Sequence, residues 1–387
     1  RKPACCSLVC GVVSLLLYFL MATALHAQSY AFYSPTNPAS YVSYPIGAGG
    51  PTVVHRNGAT YVVVWQSYGT YIPYVLRTDE STGFTEAVAI PGADQAPASP
   101  NGRIDGHFSM EMKLDTAGYI HLVEVGHNES LRYWKSNLPD SIAGGFTEIA
   151  VNATNGLPWA QLHYDYSKLL TDNNGVIYMI SRCEMNWRTP DQGDRGVTLH
   201  RYDVNTGTWT MLGGVQAENP AATIAKPTTT LRGKAIFWEW AGQTDTLFYQ
   251  GFSANLSFDA QNRMHFTVST LDRFPDGAFP NGNGDTLVYA YSDDGGDTWH
   301  RSDGSLITHL PMRARAGLAN SADIVNQGDP ATNEGRLGLQ TQIAVDRSGS
   351  PLIAADDTYT RQATGWVRST FNGNNTLTTT PNSRHVL

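Results

Sequence analysis

Cysteine is scarce in this sequence: there are four among 387 residues, and three of them lie within the first ten positions. Only Cys183 lies beyond them. A single cysteine in the body of the chain excludes an internal disulfide bond. The stability of the folded protein must therefore come from core burial and strand pairing.

Long hydrophobic runs are missing too, except at the N-terminus. Two basic residues precede an apolar run that extends to about Leu25 and ends in alanine-rich sequence. This pattern is typical of a secretory signal peptide, with cleavage near Ala27–Gln28. A membrane anchor is the alternative, because the run is just long enough to span a bilayer. We expect residues 1–27 to be a signal peptide and residues 28–387 to form one secreted domain, with no stable membrane association after cleavage.

Positive charge is in short supply as well. Without Arg1 and Lys2 the 26 basic residues become 24, against 34 acidic ones, which gives a formal net charge of −10. No basic stripe is present that could hold phosphates, and this argues against nucleic acid as a partner. An anionic ligand would need a local cationic pocket to overcome the surrounding negative field.

Long stretches with the 3.6-residue apolar repeat of a helix are also lacking. Glycine, tyrosine, tryptophan, threonine and asparagine are plentiful instead, and they favour an all-β fold with many turns. A hairpin unit recurs, with two apolar strands around Asp/Asn-x-x-Gly or a near variant. The units lie at Thr52–Trp65, Asp105–Trp134, Asp165–Cys183, Phe252–Val268 and Thr341–Ala355.

Five such units predict a β-propeller, in which each blade buries its faces against its neighbours. Seven blades of about fifty residues would nearly use up the chain, so we expect seven, or a propeller incomplete at the C-terminus. The uneven intervals after the third unit indicate insertions or unrecognised blades. A sandwich of two sheets is the alternative, but it does not explain a repeated unit.

The stretch Ser292–Trp299 (SDDGGDTW) resembles the Asp-box, S-x-D-x-G-x-T-W, of BNR repeats. We expect a turn in which Asp294 accepts backbone N–H groups, Gly296 permits tight geometry and Trp299 packs into the sheet. Such a turn is structural rather than catalytic. Weaker matches to the Asp-box pattern occur at Asn205–Trp209 and Asp79–Phe84.

Two hairpins bring polar side chains to their open ends. In the second unit a turn centred between Thr116 and Ala117 gives cross-strand partners whose residue numbers add to 233. Position 107 then faces 126, so His107 and His127 lie about one strand spacing apart. In the third unit the corresponding number is 347, and Tyr166 and Arg182 meet at the open end. Unrelated surface histidines are the alternative for the first pair.

The order DGHFSM, LDTAGYIHL, GHN and LRYW, then HYDYS and GVIYMISRC, then YSDDGGDTWH is similar to the BNR-repeat polysaccharide lyases. These are the propeller ulvan lyases and the related rhamnose–glucuronate lyases. The resemblance implies a seven-bladed propeller with its site at one end of the central channel, and β-elimination at a uronate linked through O4 to rhamnose. It implies catalytic roles for His107, His127, Tyr166 and Arg182.

The chemistry of these residue types agrees with such a reaction. Elimination removes the C5 proton of the uronate, and a bidentate arginine can stabilise the enolate-like intermediate. A neutral histidine can take the proton near pH 7. A tyrosine can protonate the leaving O4 or, ionised beside Arg182, act as the base. The division of these duties between His127 and Tyr166 stays open, and none of them requires a cofactor.

Three further residues are candidates for binding an anionic polysaccharide. Arg232 could form a second carboxylate clamp, with ordinary surface charge as the alternative. His163 and Tyr164 could line the pocket, or could simply pack beside Tyr166 in its strand. The protein is expected to be a monomer.

Other histidines have different expected roles. His121 and His265 lie in mid-strand, where core histidines with satisfied hydrogen bonds are commoner than ligands. A structural calcium or zinc ion is compatible with the sequence, and Cys183, His200 and His265 are the available soft ligands, but their spacing does not define a zinc site.

Two other functions stay open at this point. A sialidase-like glycoside hydrolase also carries Asp-boxes on a propeller, but its three arginines and Tyr/Glu nucleophile pair are not recognisable here. A propeller without catalytic activity could bind glycans.

Overall fold

The computed structural model describes residues 41–42, 53–68, 70–93, 109–125, 129–157, 163–184, 195–214, 234–238, 248–273, 284–314, 317–327, 341–355, 357–363, 365–371 and 377–381. The predicted signal peptide at 1–27 lies outside these residues. Within these ranges, no helix is long and apolar enough to cross a membrane.

The described strands form five antiparallel sheets that follow one another along the chain. Sheet 1 contains β1 (Tyr41–Val42), β2 (Val53–Arg56), β3 (Ala59–Tyr68), β4 (Thr70–Asp79) and β5 (Thr85–Ala89). Sheet 2 contains β6 (Ser109–Leu114), β7 (Ile120–Val125), β9 (Arg132–Ser136) and β10 (Phe146–Ile149), whereas β8 (Glu129–Ser130) joins sheet 3. A short 3₁₀ helix follows at Ala153–Asn155.

Sheets 3 to 5 account for the remaining strands. Sheet 3 contains β11 (His163–Thr171), β12 (Ile177–Glu184), β13 (Arg195–Asp203) and β14 (Thr208–Leu212). Sheet 4 contains β15 (Phe248–Phe258), β16 (Met264–Arg273), β17 (Gly284–Ser292), β18 (Trp299–His300), β19 (Leu306–Ile307) and β20 (Asp323–Gln327). Sheet 5 contains β21 (Gln342–Val345), β22 (Pro351–Ala355), β23 (Asp357–Gln362), β24 (Gly365–Phe371) and β25 (Leu377–Pro381).

Each predicted hairpin unit supplies the first hairpin of one sheet. In sheets 2 to 5 the same device closes the turn: an aspartate accepts the backbone N–H of the residue four positions later, at 2.8 or 2.9 Å. This side-chain bond stabilises the turn locally, before any other sheet is present. The four aspartates are Asp115, Asp172, Asp259 and Asp346.

Apolar side chains fill the space between each sheet and the next. One core lies between sheets 1 and 2, another between 2 and 3, a third between 3 and 4 and a fourth between 4 and 5. The first strands β2, β6, β11, β15 and β21 contact one another in that order. Sheets that pack face to face in succession, with their first strands adjacent, are blades. The fold is an all-β propeller, as predicted; seven blades remain a prediction.

The hairpin turns of all five blades lie at the same end of the propeller. Arg56 of sheet 1 donates to the carbonyl oxygens of Asp115 and Thr116 in sheet 2 at 2.7 and 2.9 Å. Asn173 of sheet 3 donates to the carbonyl of Asp259 in sheet 4 at 2.6 Å. Gly175 approaches Thr116 so closely that a Cβ there would lie 2.5 Å from the threonine methyl. The open ends of the hairpins therefore face the opposite end.

The turn at Ser292–Trp299 joins β17 to β18 in the outer half of sheet 4. Asp294 accepts the Thr298 N–H at 2.8 Å, and the fully buried Trp299 donates its indole N–H to the Gly296 carbonyl at 3.0 Å. The turn is also tied to sheet 3, because Arg201 donates to Asp297 at 3.1 Å. These contacts have the expected form, and they join neighbouring blades.

The long interval between the third and fourth units includes residues 234–238, which lie outside the five sheets. Phe237 forms isolated bridges with Val197 of sheet 3 and with Met312, which follows sheet 4's β19. Its side chain is fully buried in the core between the two sheets. Within the described part of the interval, Phe237 therefore fills space between two blades.

Candidate functional site

The open end of the β11–β12 hairpin is irregular. From the turn to the Lys168–Ile180 pair, the residue numbers of cross-strand partners add to 348. The register then shifts between Lys168 and Asp165, and Asp165 pairs with Arg182, whose numbers add to 347. Tyr166 and Ser167 together therefore oppose a single residue, which is a β-bulge. The predicted register was one residue off near the turn, and Arg182 is paired with Asp165 rather than with Tyr166.

Tyr166 and Arg182 nevertheless meet. The guanidinium carbon of Arg182 lies 4.5 Å from the centre of the Tyr166 ring. Arg182 is only 4% exposed, whereas Tyr166 is half-buried. A cation on the face of a phenol ring is attracted by the ring's negative π face. The pair places a fixed positive charge and a hydroxyl group together at the open end of one blade.

The backbone of Tyr166 is strained. Its φ is +53°, in the left-handed region that a bulky side chain rarely adopts. Strained residues of this kind cluster at active sites, because the surrounding structure must hold them in place. A bulge also turns a side chain out of the regular alternation of the strand. Both features are typical of functional sites, and they make Tyr166 a candidate site residue.

His107 and His127 lie outside the described residues. The hairpin between them in the chain is described as far as the Ser109–Val125 pair, and its partner numbers add to 234 instead of the predicted 233. The predicted register was therefore one residue off over the described pairs, and the pairing predicted for positions 107 and 126 lies outside them.

The three predicted binding residues have different surroundings. Arg232 lies outside the described residues. The backbone of His163 pairs with Ser130 of β8. Tyr164 is fully buried in the core between sheets 2 and 3, where burial raises the pKa of its phenol well above the usual value. The Tyr164 ring therefore packs in the core, which was the alternative to lining the pocket.

The two mid-strand histidines form matching triads. In sheet 2, His121 bonds to Tyr133 at 2.7 Å and to Asp115 at 3.0 Å. In sheet 4, His265 bonds to Tyr289 at 2.7 Å and to Asp259 at 3.3 Å. Both rings are buried, and burial lowers the pKa of both histidines.

These triads are core histidines with satisfied hydrogen bonds. Because the aspartate is in each case the one that closes the hairpin turn, the triad links that turn to the third strand of the same sheet.

The other soft ligands named above are separated. Cys183 and His200 are buried in sheet 3, where Cys183 pairs with Gly196 and His200 pairs with Met179, several residues apart along the strands. Neither ring nitrogen of His200 has a hydrogen-bond partner, and burial lowers the pKa of its imidazole to about 3. Over the described ranges, no three His, Cys, Asp or Glu side chains are grouped so that they could hold a metal ion.

Sequence reasoning missed the residues that surround the bulge. Ser167 and Ser181 share a hydrogen bond of 2.6 Å, and both are 1% exposed. Lys168 is 8% exposed and donates to the Ala254 carbonyl of sheet 4 at 3.3 Å. Burial lowers the pKa of Lys168 to about 8, while the negative charge of Glu111 raises it. A lysine among strand residues was the available signal, but alternation alone did not indicate that it is buried.

Comparisons with known proteins agree with the propeller fold. Residues 39–377 match the model of a family described as "BNR repeat-containing family member". No curated protein matches the chain. A solved structure described as "polysaccharide lyase PL25-Ulvanlyase bound to -[GlcA(1-4)Rha3S]-" is 17% identical over 85% of this chain and 74% of that chain, with a TM-score of 0.56.

The polysaccharide lyase Uly1 is 14% identical over 91% of this chain and 76% of its own, with a TM-score of 0.57. At these identities the likeness shows a shared fold. An α-L-arabinanase from Cellvibrio cellulosa covers 88% of this chain and 96% of its own at 10% identity and a TM-score of 0.39, a likeness too slight to support an argument.

Proposed function

Because the chain belongs to the BNR repeat-containing family, with 39–377 matched, we propose that it is a secreted polysaccharide lyase. The reaction is β-elimination at a 4-linked uronate, which yields an unsaturated uronate. The observation that carries the proposal is the buried Arg182 stacked on the strained Tyr166 at the open end of one blade. Core packing alone explains neither the buried guanidinium of Arg182 nor the left-handed backbone of Tyr166.

Arg182 has the role of binding the uronate carboxylate. The protein carries a formal net charge of −8 over the whole chain, so an anionic polymer needs a strong local cation to bind. A buried guanidinium keeps its charge at every relevant pH and can bind both carboxylate oxygens. It thereby stabilises the charge that develops when the C5 proton leaves.

Tyr166 exchanges a proton with the substrate. Its hydroxyl either protonates the departing O4 or, ionised beside the guanidinium, removes the C5 proton. His107 and His127 complete the site. The numbers of this pair add to 234, the same as in the described ladder of β6 and β7, and two more residues of that ladder would place the histidines opposite each other. His127 is the other candidate base, and His107 helps to bind the carboxylate.

Rhamnose–glucuronate polymers are the proposed substrate class. A lyase of the same fold was solved bound to a GlcA(1-4)Rha3S repeat, and such a repeat contains the uronate carboxylate. The proposed substrate also carries a sugar on O4 of the glucuronate, and elimination breaks the bond between C4 and that oxygen. Arg232 is proposed to form a second carboxylate clamp, and His163 to line the substrate pocket. The proposed chemistry uses side chains of a single chain and no cofactor.

One assay tests this function. The purified protein is incubated with ulvan or deproteinised gum, and the ultraviolet absorbance of an unsaturated uronate is followed. The matched control substrate is the same polymer with its carboxyl groups reduced to alcohols, which cannot stabilise the carbanion. We expect absorbance to rise with the native polymer only. New reducing ends without absorbance would indicate a hydrolase, and binding without any product would indicate a glycan-binding propeller; either result contradicts the proposal.

A further inference from the structure

The bulge that carries Tyr166 changes which blade each residue of β11 faces. Tyr164 packs into the core between sheets 2 and 3, whereas Lys168 reaches a carbonyl of sheet 4. In a regular strand these two even-numbered positions would lie on the same face. The extra residue therefore reverses the strand's faces, and the reversal takes place at Tyr166 and Ser167.

A bulge at this place needs support, because its first residue has an unfavourable backbone conformation. A left-handed tyrosine persists only where neighbouring contacts determine it more strongly than the local preference does. The single residue opposite the bulge is Ser181, and its hydroxyl lies 2.6 Å from that of Ser167. Both serines are buried, so no water competes for this bond. Thr198 of β13 is 3.4 Å from the Ser181 carbonyl, which fixes the opposite strand.

Lys168 anchors the strand immediately after the bulge. Its ammonium group donates to the Ala254 carbonyl of sheet 4, and the negative charge of Glu111 in sheet 2 raises its pKa. The hydrogen bond thus connects the first strands of two successive blades. The backbone of β11 is held just beyond the bulge, where the regular register resumes with the Lys168–Ile180 pair.

We propose that the buried Ser167–Ser181 hydrogen bond is a positioning element that holds Tyr166 in its left-handed conformation over Arg182. Neither serine touches the substrate. The pair acts by fixing the direction of the phenol, and the proposal rests on the proposed role of Tyr166 in proton transfer. A hydroxyl that shifts by about 1 Å loses up to about a hundredfold in rate.

The test compares Ser181→Ala with Ser136→Ala. Ser136 is the matched control, because it is a buried serine of sheet 2 whose hydroxyl accepts the Ile120 N–H at 2.9 Å and donates to the Leu138 carbonyl at 3.0 Å. Two properties are measured: kcat and KM on the uronate polymer, and the fluorine NMR signal of 3-fluorotyrosine at Tyr166. The signal is assigned by its disappearance in Tyr166→Phe.

For Ser181→Ala we expect kcat to fall between about tenfold and a hundredfold with KM nearly unchanged, and the Tyr166 signal to shift. Ser181→Thr, which keeps a hydroxyl, should restore both. Ser136→Ala should lower the melting temperature without moving either. Ser167→Ala removes the same bond, so the double variant should be no slower than either single variant.

The proposal is overturned if Ser181→Ala keeps the parent kcat and the parent Tyr166 signal, or if the two serine variants have additive effects. If Ser181→Ala does not fold, Ser167→Ala makes the same test from the other strand. The NMR signal separates this proposal from the proposed function. A protein inactive on every uronate polymer would contradict the function, while a shifted Tyr166 signal in Ser181→Ala would still support the positioning element.

Discussion

The two ends of the β11–β12 hairpin are built differently. At the turn, Asp172 accepts the N–H groups of Asn174 and Val176 at 2.9 and 2.8 Å, and the bond to the residue four positions later recurs at the aspartates of three other blades. At the open end the ladder slips by one residue, a buried arginine stacks on an aromatic ring, and Tyr166 has a φ of +53°. Of the described non-glycine residues with positive φ, Tyr166 alone is neither Asn nor Asp.

The difference separates what folding requires from what function requires. A turn that recurs in four blades satisfies a demand that every blade shares, namely closing a hairpin against its neighbours. A strained tyrosine at one place meets no such demand, and its cost of about 1–3 kcal/mol must be offset by contacts around it. Changes at the open end should therefore reduce activity, and changes at the turn end should reduce stability.

The largest effect is expected for Tyr166→Phe. The ring stays over Arg182 while the hydroxyl is removed, so kcat should fall by about 10²–10⁴-fold with little change in KM. Tyr178→Phe, near the turn end of the same hairpin, is the matched control and should keep the parent kcat. Initial rates of unsaturated uronate formation measure both. A Tyr166→Phe protein that degrades a glucuronate–rhamnose polymer at the parent rate would refute the proposed mechanism.

Replacement of Arg182 by alanine should lower kcat/KM by the equivalent of about 2–4 kcal/mol of transition-state stabilisation. The charge that binds the carboxylate is lost in this variant. Arg201→Ala is the control, since Arg201 lies on the next strand but one from β11 and bonds to Asp297; its kcat/KM should be unchanged. Steady-state kinetics over a range of polymer concentrations decide the matter, and equal values for the two variants would count against the site.

A change in a histidine triad should reduce stability instead of activity. His265→Phe leaves the buried Asp259 carboxylate and the Tyr289 hydroxyl without their shared partner, at a cost of about 1–3 kcal/mol of unfolding free energy. Activity per folded molecule should not change. Urea unfolding measures the loss, and His55→Phe, at an exposed histidine, should stay within about 0.5 kcal/mol of the parent. Unchanged stability in His265→Phe would show that the triad has no structural role.

The last expected effect is on stability in acid. Burial lowers the pKa of His200 to about 3 from the usual 6.5, so the folded state resists a proton that the unfolded chain accepts. Stability is therefore full above pH 6.5 and falls as the pH is lowered from 6.5 towards 3, by at most about 1.4 kcal/mol per pH unit from this residue. Urea midpoints at pH 7.5, 5.5 and 4.5 should fall steadily, and less steeply in His200→Phe. If the urea midpoints of the parent and of His200→Phe fell equally with pH, His200 would not be a cause of the acid dependence.

The registers show where sequence reasoning reached its limit. Both turns were predicted to be centred between two residues, but the observed centres lie on Ala117 and Asn174, because the partner numbers add to 234 and 348. The cause is a glycine near the end of each turn, Gly118 and Gly175, with φ of +91° and +80°. A left-handed glycine adds one residue to a type I turn. The sequence contains this signal, and it would have corrected both registers next to their turns.

The sequence by itself determined the five hairpins, the aspartates that close four of their turns and the absence of a disulfide in the body of the chain. These properties depend on residues a few positions apart, through alternation and local hydrogen bonds. Only the tertiary structure decided the bulge, the stacking of Arg182 on Tyr166 and the burial of Lys168 between blades. Each of these depends on a partner in another strand or another sheet, such as Ser181 or Ala254. No local pattern contains that partner, because it comes into contact only when the blades pack together.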